Sequence, residues 1–266
     1  MSNLGKLTIE QEDELLTHFQ NVLSIQKPGK ISVWPTDYIA QHNFMKDLVE
    51  REIKILEIDV WYVLQKIYEF QPTLTFSGIV EDNRYDFNPW SGMFIEETMR
   101  IRKKCETFYL TIKRKNTTTD IKSREEFEVS PINIKRFEEK FAAMGLVPVH
   151  LKDKVRQSFD VWQNSMRPAT MDLDLYYGIP PLLEIEWATK DIIRSWIKRL
   201  GLENHKLIVP WSARQTLDYY EKQNPKNQLM TPMNNFPQWQ NHNPPAPSKK
   251  NSDKKNSTSK KVANKK

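Results

Sequence analysis

Between about Leu48 and Trp187 the chain alternates apolar with charged residues, in pieces, over most of its length. A period of two is the mark of β-strands, whose successive side chains point to opposite faces. The pattern predicts eight strands: Val49–Glu57, Thr73–Phe87, Thr98–Lys103, Phe108–Lys115, Lys122–Val129, Val147–Val161, Met171–Tyr177 and Leu182–Trp187. Eight strands are enough to close a barrel with room inside for a small ligand, and closure removes the exposed edges of an open sheet.

The alternation also sorts the charges. Glu50, Glu52 and Lys54 share one face while Val49, Ile53 and Ile55 share the other, with Arg51 as an exception. Arg100 and Arg102 oppose Met99 and Ile101; Lys113 and Lys115 oppose Leu110 and Ile112; Arg124, Glu126 and Glu128 oppose Phe127 and Val129. Later strands pair Lys154 with Arg156, Asp172 with Asp174, and Glu184 with Glu186. Ordinary half-exposed antiparallel strands also carry one wet face. Against that plain reading, like charges two residues apart repel unless a counter-ion lies between them. The set holds eight bases and eight acids, which formally cancel. Enclosing so many charges without a ligand is costly. Hard divalent cations take carboxylate oxygens, and Arg and Lys take phosphate oxygens, so phosphates bridged to Mg²⁺ or Mn²⁺ would satisfy both signs.

Helices punctuate the strands. Leu15, Leu16, Phe19 and Leu23 have helical spacing in a segment from Ile9 to about Ile25. Asp59 is placed to cap a helix over Val60–Phe70, Ser130-Pro131 to open one that ends near Gly145, and Thr189 to cap one that runs to Leu200 before Gly201. An amphipathic piece is expected over Ser212–Lys222, and the stretch around Trp34-Pro35 reads as a linker. The fold class expected is α+β: an eight-stranded antiparallel β-barrel with helices packed on its outside. Three regions follow: an N-terminal helical extension over 1–45, the barrel domain over 46–222, and a disordered tail over 223–266 that is rich first in Pro and Asn and then in Lys.

Composition excludes several other classes. The net charge is +6, but Ser248 to Lys266 alone holds eight lysines and one aspartate, so the body is nearly neutral. A basic tail of Lys, Asn and Ser cannot build a core, and its charge is no evidence for a nucleic-acid-binding fold. The single cysteine, Cys105, excludes internal disulfides and cysteine-rich zinc sites and fits a cytoplasmic setting. No apolar run is long enough to span a membrane and no export signal opens the chain. Seven glycines form neither common phosphate-cradling motif, and five scattered histidines form no HExxH pair. Phosphate recognition must therefore come from side chains.

Taken together, Glu50-Arg51-Glu52-Ile53-Lys54 resembles the ExExK signature of the CYTH, or triphosphate tunnel metalloenzyme, superfamily. Arg100-Ile101-Arg102, Leu110 to Lys113, Arg124 to Glu128, Lys154-Val155-Arg156, Asp172-Leu173-Asp174, and Leu183 to Glu186 after Gly178-Ile179-Pro180 follow in the expected order. The resemblance covers about residues 48–200. It departs from the family in the 45 residues before ExExK and in the long Lys152–Thr170 segment with Trp162 and Met166.

The resemblance implies a tunnel that binds triphosphate and Mg²⁺ or Mn²⁺. Glu50, Glu52, Glu184 and Glu186 match the family's metal acids, and Lys54, Arg100, Arg102, Lys113, Arg124 and Arg156 its phosphate-binding bases. Parity adds Asp172 and Asp174 to the metal set and Lys115 and Lys154 to the substrate-binding set. Glu126 and Glu128 are the catalytic candidates, for orienting water or acting as base. The activity expected is metal-dependent hydrolysis of inorganic tripolyphosphate or of a nucleoside or thiamine triphosphate. Class IV adenylate cyclase, RNA 5′-triphosphatase and non-catalytic polyphosphate or nucleotide binding are the alternatives. The partner expected is a triphosphate-containing small molecule; RNA is a candidate through the Lys-rich tail, a membrane is not, and the sequence does not specify an oligomeric state.

Overall fold

The computed structural model describes residues 6–24, 27–42, 49–117, 121–151, 153–162, 167–187 and 189–223, with the side chains of 115–117 excepted. The tail expected over 223–266 falls outside the described residues from 224 onward, as do Leu48, Lys152 and Met166.

Among the described residues six α-helices and twelve strands run in the order α1 (Ile9–Leu23), β1 (Gly29–Ile31), α2 (Thr36–Gln41), β2 (Val49–Leu56), α3 (Val60–Tyr68), β3 (Thr73–Phe87), β4 (Met93–Ile95), β5 (Thr98–Lys104), β6 (Thr107–Thr117), β7 (Lys122–Val129), α4 (Ile134–Ala143), β8 (Leu146–His150), β9 (Lys154–Val161), β10 (Ala169–Tyr176), β11 (Leu182–Trp187), α5 (Lys190–Arg199), β12 (Ile208–Val209) and α6 (Ala213–Gln223). Strands β2, β11, β10, β9, β3, β5, β6 and β7 follow one another around a ring, and β7 pairs back onto β2. The sheet is thus a closed eight-stranded antiparallel barrel, as the alternation leads one to expect. Two short strands lengthen its wall: β8 pairs with β3 over Asn83–Phe87, and β12 with β2 at Ile55 and Lys54.

Alternation decides which face is dry. Ile101, Leu110, Ile112, Phe127 and Val129 point outward from β5, β6 and β7 into one apolar cluster with Leu15, Phe19 and Leu23 of α1 and Phe137 and Phe141 of α4. The N-terminal segment therefore shares the core that covers this side of the barrel. Each fully buried side chain of this size contributes about 1.5–3 kcal/mol. A second cluster packs Leu217 and Tyr220 of α6 on Leu56, Tyr176 and Leu182.

Local chemistry sets the helix ends. Thr8 and Gln11 form a reciprocal capping box on α1, with Thr8 N donating to Gln11 Oε1 at 2.9 Å. Asp59 caps α3 by accepting from Trp61 N and Tyr62 N at 3.0 and 3.1 Å, as its position suggests. Gly201 follows α5 at φ +70°, where an added Cβ would strike the Tyr62 hydroxyl. Other expectations are corrected. Ser130 does not cap α4, because its hydroxyl donates to Phe108 O at 3.1 Å; the cap is Asn133, accepting from Arg136 N. The segment over Val147–Val161 is two strands with a break between them. The linker around Trp34-Pro35 contains α2, a helix too short to show periodicity.

Candidate functional site

The inward face of the barrel surrounds a cavity of about 790 Å³. It is lined by Glu50, Glu52, Glu184, Glu186 and Glu126 and by Lys54, Arg100, Arg102, Lys113, Arg124, Lys154 and Arg156. Three sequence candidates do not line it. Glu128 accepts from the Thr111 hydroxyl at 3.0 Å, and Asp172 and Asp174 are wholly buried in the wall. Lys115 stands opposite Arg124 in the ladder, and its side chain lies outside the described residues.

Contacts with bases divide the acids. Asp174 is opposite Arg156 across the β9–β10 ladder. Arg156 grips it with Nε at 2.6 Å and Nη2 at 2.7 Å, and Lys154 Nζ donates to it at 2.7 Å. Arg156 also pairs with Asp172 and reaches Glu184 at 3.3 Å. Burial alone would raise the Asp174 carboxyl, but Arg156 and Lys154 hold it below its ordinary value. Burial, reinforced by the Arg156 charge, pushes the Lys154 ammonium down to about 8. Glu184 is held well below the usual carboxylate range against its burial, with Lys54 at 2.8 Å and Arg156 beyond it.

On β2 and β11 acids also meet, as Asp172 and Glu184 do across the β10–β11 ladder. Glu186 lies directly across from Glu52, so acid faces acid. Carboxylate oxygens of Glu50, Glu52 and Glu186 lie within 4.8 Å of one another. Glu52 pairs with Lys54 at 3.1 Å and with Lys122, and Glu50 accepts from Lys113 at 2.6 Å. Among the described residues no cation comes within ion-pair distance of Glu186. Burial, with Glu50, Asp172 and Glu184 around it, raises its carboxyl well above the ordinary range. Three hard oxygen donors with surplus negative charge fit Mg²⁺ or Mn²⁺. Glu184 and Asp174 are committed to bases of the chain and fit less well; Asp172 pairs with Arg156 while both its buried oxygens lack a hydrogen-bond partner, but it does not line the cavity.

Next to this cluster Glu126 contacts Lys113 at 2.7 Å; burial and then the Glu50 charge raise its carboxyl to about 7. Bases line the adjoining wall. Arg102 holds Asp82 in a two-point bond at 2.7 and 2.9 Å, and Arg100 lies 3.7 Å from Asp82 and 3.8 Å from Glu126 with its buried Nε lacking a hydrogen-bond partner. Arg124 has no acid within ion-pair distance among the described residues. Arg100 and Arg124 are therefore the cations with most capacity left for an anion.

Sequence reasoning missed several polar groups here, including Thr98 and, around the start of α6, Ser212, Arg214 and Gln215. Lys122 lines the cavity beside Glu52, and its parity with Arg124 was the available signal. Asp82, Arg84 and Asp86 form an acid-base-acid series on β3, and the last two line the cavity. Their strand also carries Glu81, Asn83 and Tyr85 on its other face, so alternation of polarity gave no signal.

No protein-family model matches the chain, and no curated protein matches it. Solved structures do. The PH1819 protein of Pyrococcus horikoshii is 20% identical, with a TM-score of 0.50, over 64% of this chain and 99% of its own. The PH1012 protein of the same organism is 18% identical, with a TM-score of 0.50, over 63% and 98%. A proposed adenylyl cyclase from Hippeastrum with a dominant triphosphatase activity is 14% identical, with a TM-score of 0.47, over 65% and 96%. At these identities the likeness concerns the fold. In its ordered motifs and in its closed eight-stranded antiparallel barrel, the chain resembles the CYTH, or triphosphate tunnel, superfamily.

Proposed function

We propose that the chain is a Mg²⁺- or Mn²⁺-dependent hydrolase of a triphosphate-containing substrate. One observation carries the reading: a single cavity holds an under-neutralised cluster of three carboxylates, Glu50, Glu52 and Glu186, beside a wall of arginines with unused donors.

Glu50, Glu52 and Glu186 would hold the cation, which when bound supplies charge neutralisation to the phosphoryl oxygens. Arg100 and Arg124 would orient the phosphate chain and offset charge that builds on its leaving oxygens. Lys113 stands between Glu50 and Glu126 and fixes both. Glu126, with its carboxyl near 7, is suited to take a proton at Oε from an attacking water. Glu128 is assigned no such step, because it faces Thr111 and not the cavity. Asp172 and Asp174 position Arg156 by fixing its guanidinium, and Lys154 braces Asp174.

The test is phosphate release from tripolyphosphate, ATP, thiamine triphosphate and 5′-triphosphorylated RNA with Mg²⁺ or Mn²⁺, alongside an assay for cyclic nucleotide. Release that needs the metal is the expected result. Undiminished release in excess chelator, or cyclic nucleotide as the main product, would overturn it.

A further inference from the structure

Three lysines reach the acid cluster, and they are held differently. Lys54 Nζ lies 3.1 Å from Glu52 and 2.8 Å from Glu184, and Lys113 Nζ lies 2.6 Å from Glu50 and 2.7 Å from Glu126, so each is pinned between two carboxylates. Lys122 has only one. Its ammonium pairs with Glu52, the residue directly across the β2–β7 ladder, and among the described residues it meets no other acid within ion-pair distance. The next charged pair along that ladder shows the contrast: Arg124 stands opposite Glu50 and, among the described residues, makes no ion pair with it.

The side chain of Lys122 is 12% exposed and lines the cavity, so its charge is largely withdrawn from bulk water at the place where a cation would sit. Glu52 already carries two lysines there. A divalent ion held by Glu50, Glu52 and Glu186 would be a third positive charge on the same carboxylate, and like charges in contact repel strongly in a partly buried site. Lys54 is tied to Glu184 as well, so Lys122 is the one free to give way. We infer that Lys122 is an internal counter-ion: it neutralises Glu52 in the metal-free chain, is displaced when the cation binds, and then serves the phosphate chain. The inference rests on the metal and triphosphate reading of the cavity.

The strand fixes where the displaced ammonium goes. Lys122 and Arg124 are two residues apart on β7 and share its inward face. An ammonium that leaves Glu52 stays beside Arg124, and the negative charge then open to it is that of the phosphates Arg124 holds. One side chain thus does two jobs in turn. In the metal-free chain it offsets three carboxylates that crowd one another, so the barrel closes around them without a metal ion. With the cation bound it joins the phosphate-binding wall. Metal and phosphate are then coupled, each raising the affinity for the other by the same factor, as linkage requires.

The experiment is calorimetric titration of the full chain and of its Lys122→Met variant, first with Mn²⁺ alone. Taking away a competing charge should tighten Mn²⁺ binding by about tenfold or more, a gain that damage to the fold would not produce. Lys122→Gln should shift the affinity in the same direction, and it carries the test if the methionine variant does not fold. The second titrant is the non-hydrolysable imido analogue of tripolyphosphate, free in excess chelator and then as its Mn²⁺ complex. Loss of Lys122 should weaken the complex by about tenfold and the free analogue by much less. Mn²⁺ affinity that is unchanged or lower in both variants, or equal weakening of the analogue with and without Mn²⁺, would overturn the inference. Mn²⁺ binding to neither the parent nor the variants would overturn it together with the metal-dependent reading. Tighter Mn²⁺ binding in a chain that releases no phosphate from any triphosphate would keep the counter-ion and remove the hydrolase; metal-dependent release with unaltered Mn²⁺ affinity would do the reverse.

Discussion

Asp172 and Asp174 on β10 and Glu50 and Glu52 on β2 have the same signature, two acids separated by one residue on an inward-facing strand. Their surroundings differ. The β10 pair is sealed in the wall by Arg156 and Lys154, the latter two also touching the cavity. The β2 pair meets a third acid, Glu186, across the ladder and shares only lysines. Each pair also meets an acid across a ladder, Asp172 facing Glu184 and Glu52 facing Glu186. What separates the two regions is the cation between the acids: Arg156 reaches Asp172, Asp174 and Glu184, whereas among the described residues none comes within ion-pair distance of Glu186.

The widest separation between the two regions should appear on removing one charge from each. Arg156→Met leaves Asp172 and Asp174 buried without their main partner, takes a second cation from Glu184, and should destabilise the protein by about 3–5 kcal/mol in urea denaturation. Glu186→Gln removes a charge that has no partner, so the metal-free protein should lose no stability. Comparable losses in both would erase the distinction. In turnover the order reverses: Glu186→Gln should lower metal-dependent phosphate release by about 100-fold or more, the scale of a principal electrostatic contributor. Steady-state rates near those of the parent chain would show that Glu186 is not at the cation.

Much of this was legible before any coordinates. Parity turned Glu50, Glu52, Lys54, Arg100, Arg102, Lys113 and Arg124 toward one lumen, because the residues that alternate with them are mostly Ile, Leu, Met, Val or Phe and had to face the outer core, with Arg51, Lys103, Arg114, Ser123 and Glu125 as exceptions. The method fails where both faces are polar, as at Glu81 to Asp86, and where a strand is only three residues long, as in β1 and β4. It also cannot divide the acids into spent and unspent. That division depends on which bases reach each carboxylate, and such contacts are a property of the assembled barrel and not of one segment.

Acidity sharpens the comparison further. Glu126 titrates near 7 instead of 4.5, and Glu186 is also raised. The folded chain therefore binds more protons than the unfolded one between those values. The stabilising contribution is complete below about 4.5 and is lost as pH rises through about 7. Asp82 works in the opposite sense, because its depressed carboxyl adds stability that is lost only on further acidification. In chelator, the unspent acids should pull stability down as pH rises between 5 and 8, while His18 and Lys154, which burial makes weaker bases, act in the opposite sense, and Glu126→Gln should remove part of the downward contribution to that slope. An unchanged slope would contradict the assignment. Added Mn²⁺ should raise stability most at the alkaline end, where the carboxylates are ionised and a ligand binding only the folded state acts by mass action.

The most direct measurement is a crystal structure with Mn²⁺ and a non-hydrolysable triphosphate ester, with the metal located by its anomalous scattering. The account predicts one principal peak among the Glu50, Glu52 and Glu186 carboxylates, with the phosphates against Arg100 and Arg124. A peak between Asp172 and Asp174, or phosphates bound away from the lumen, would contradict it.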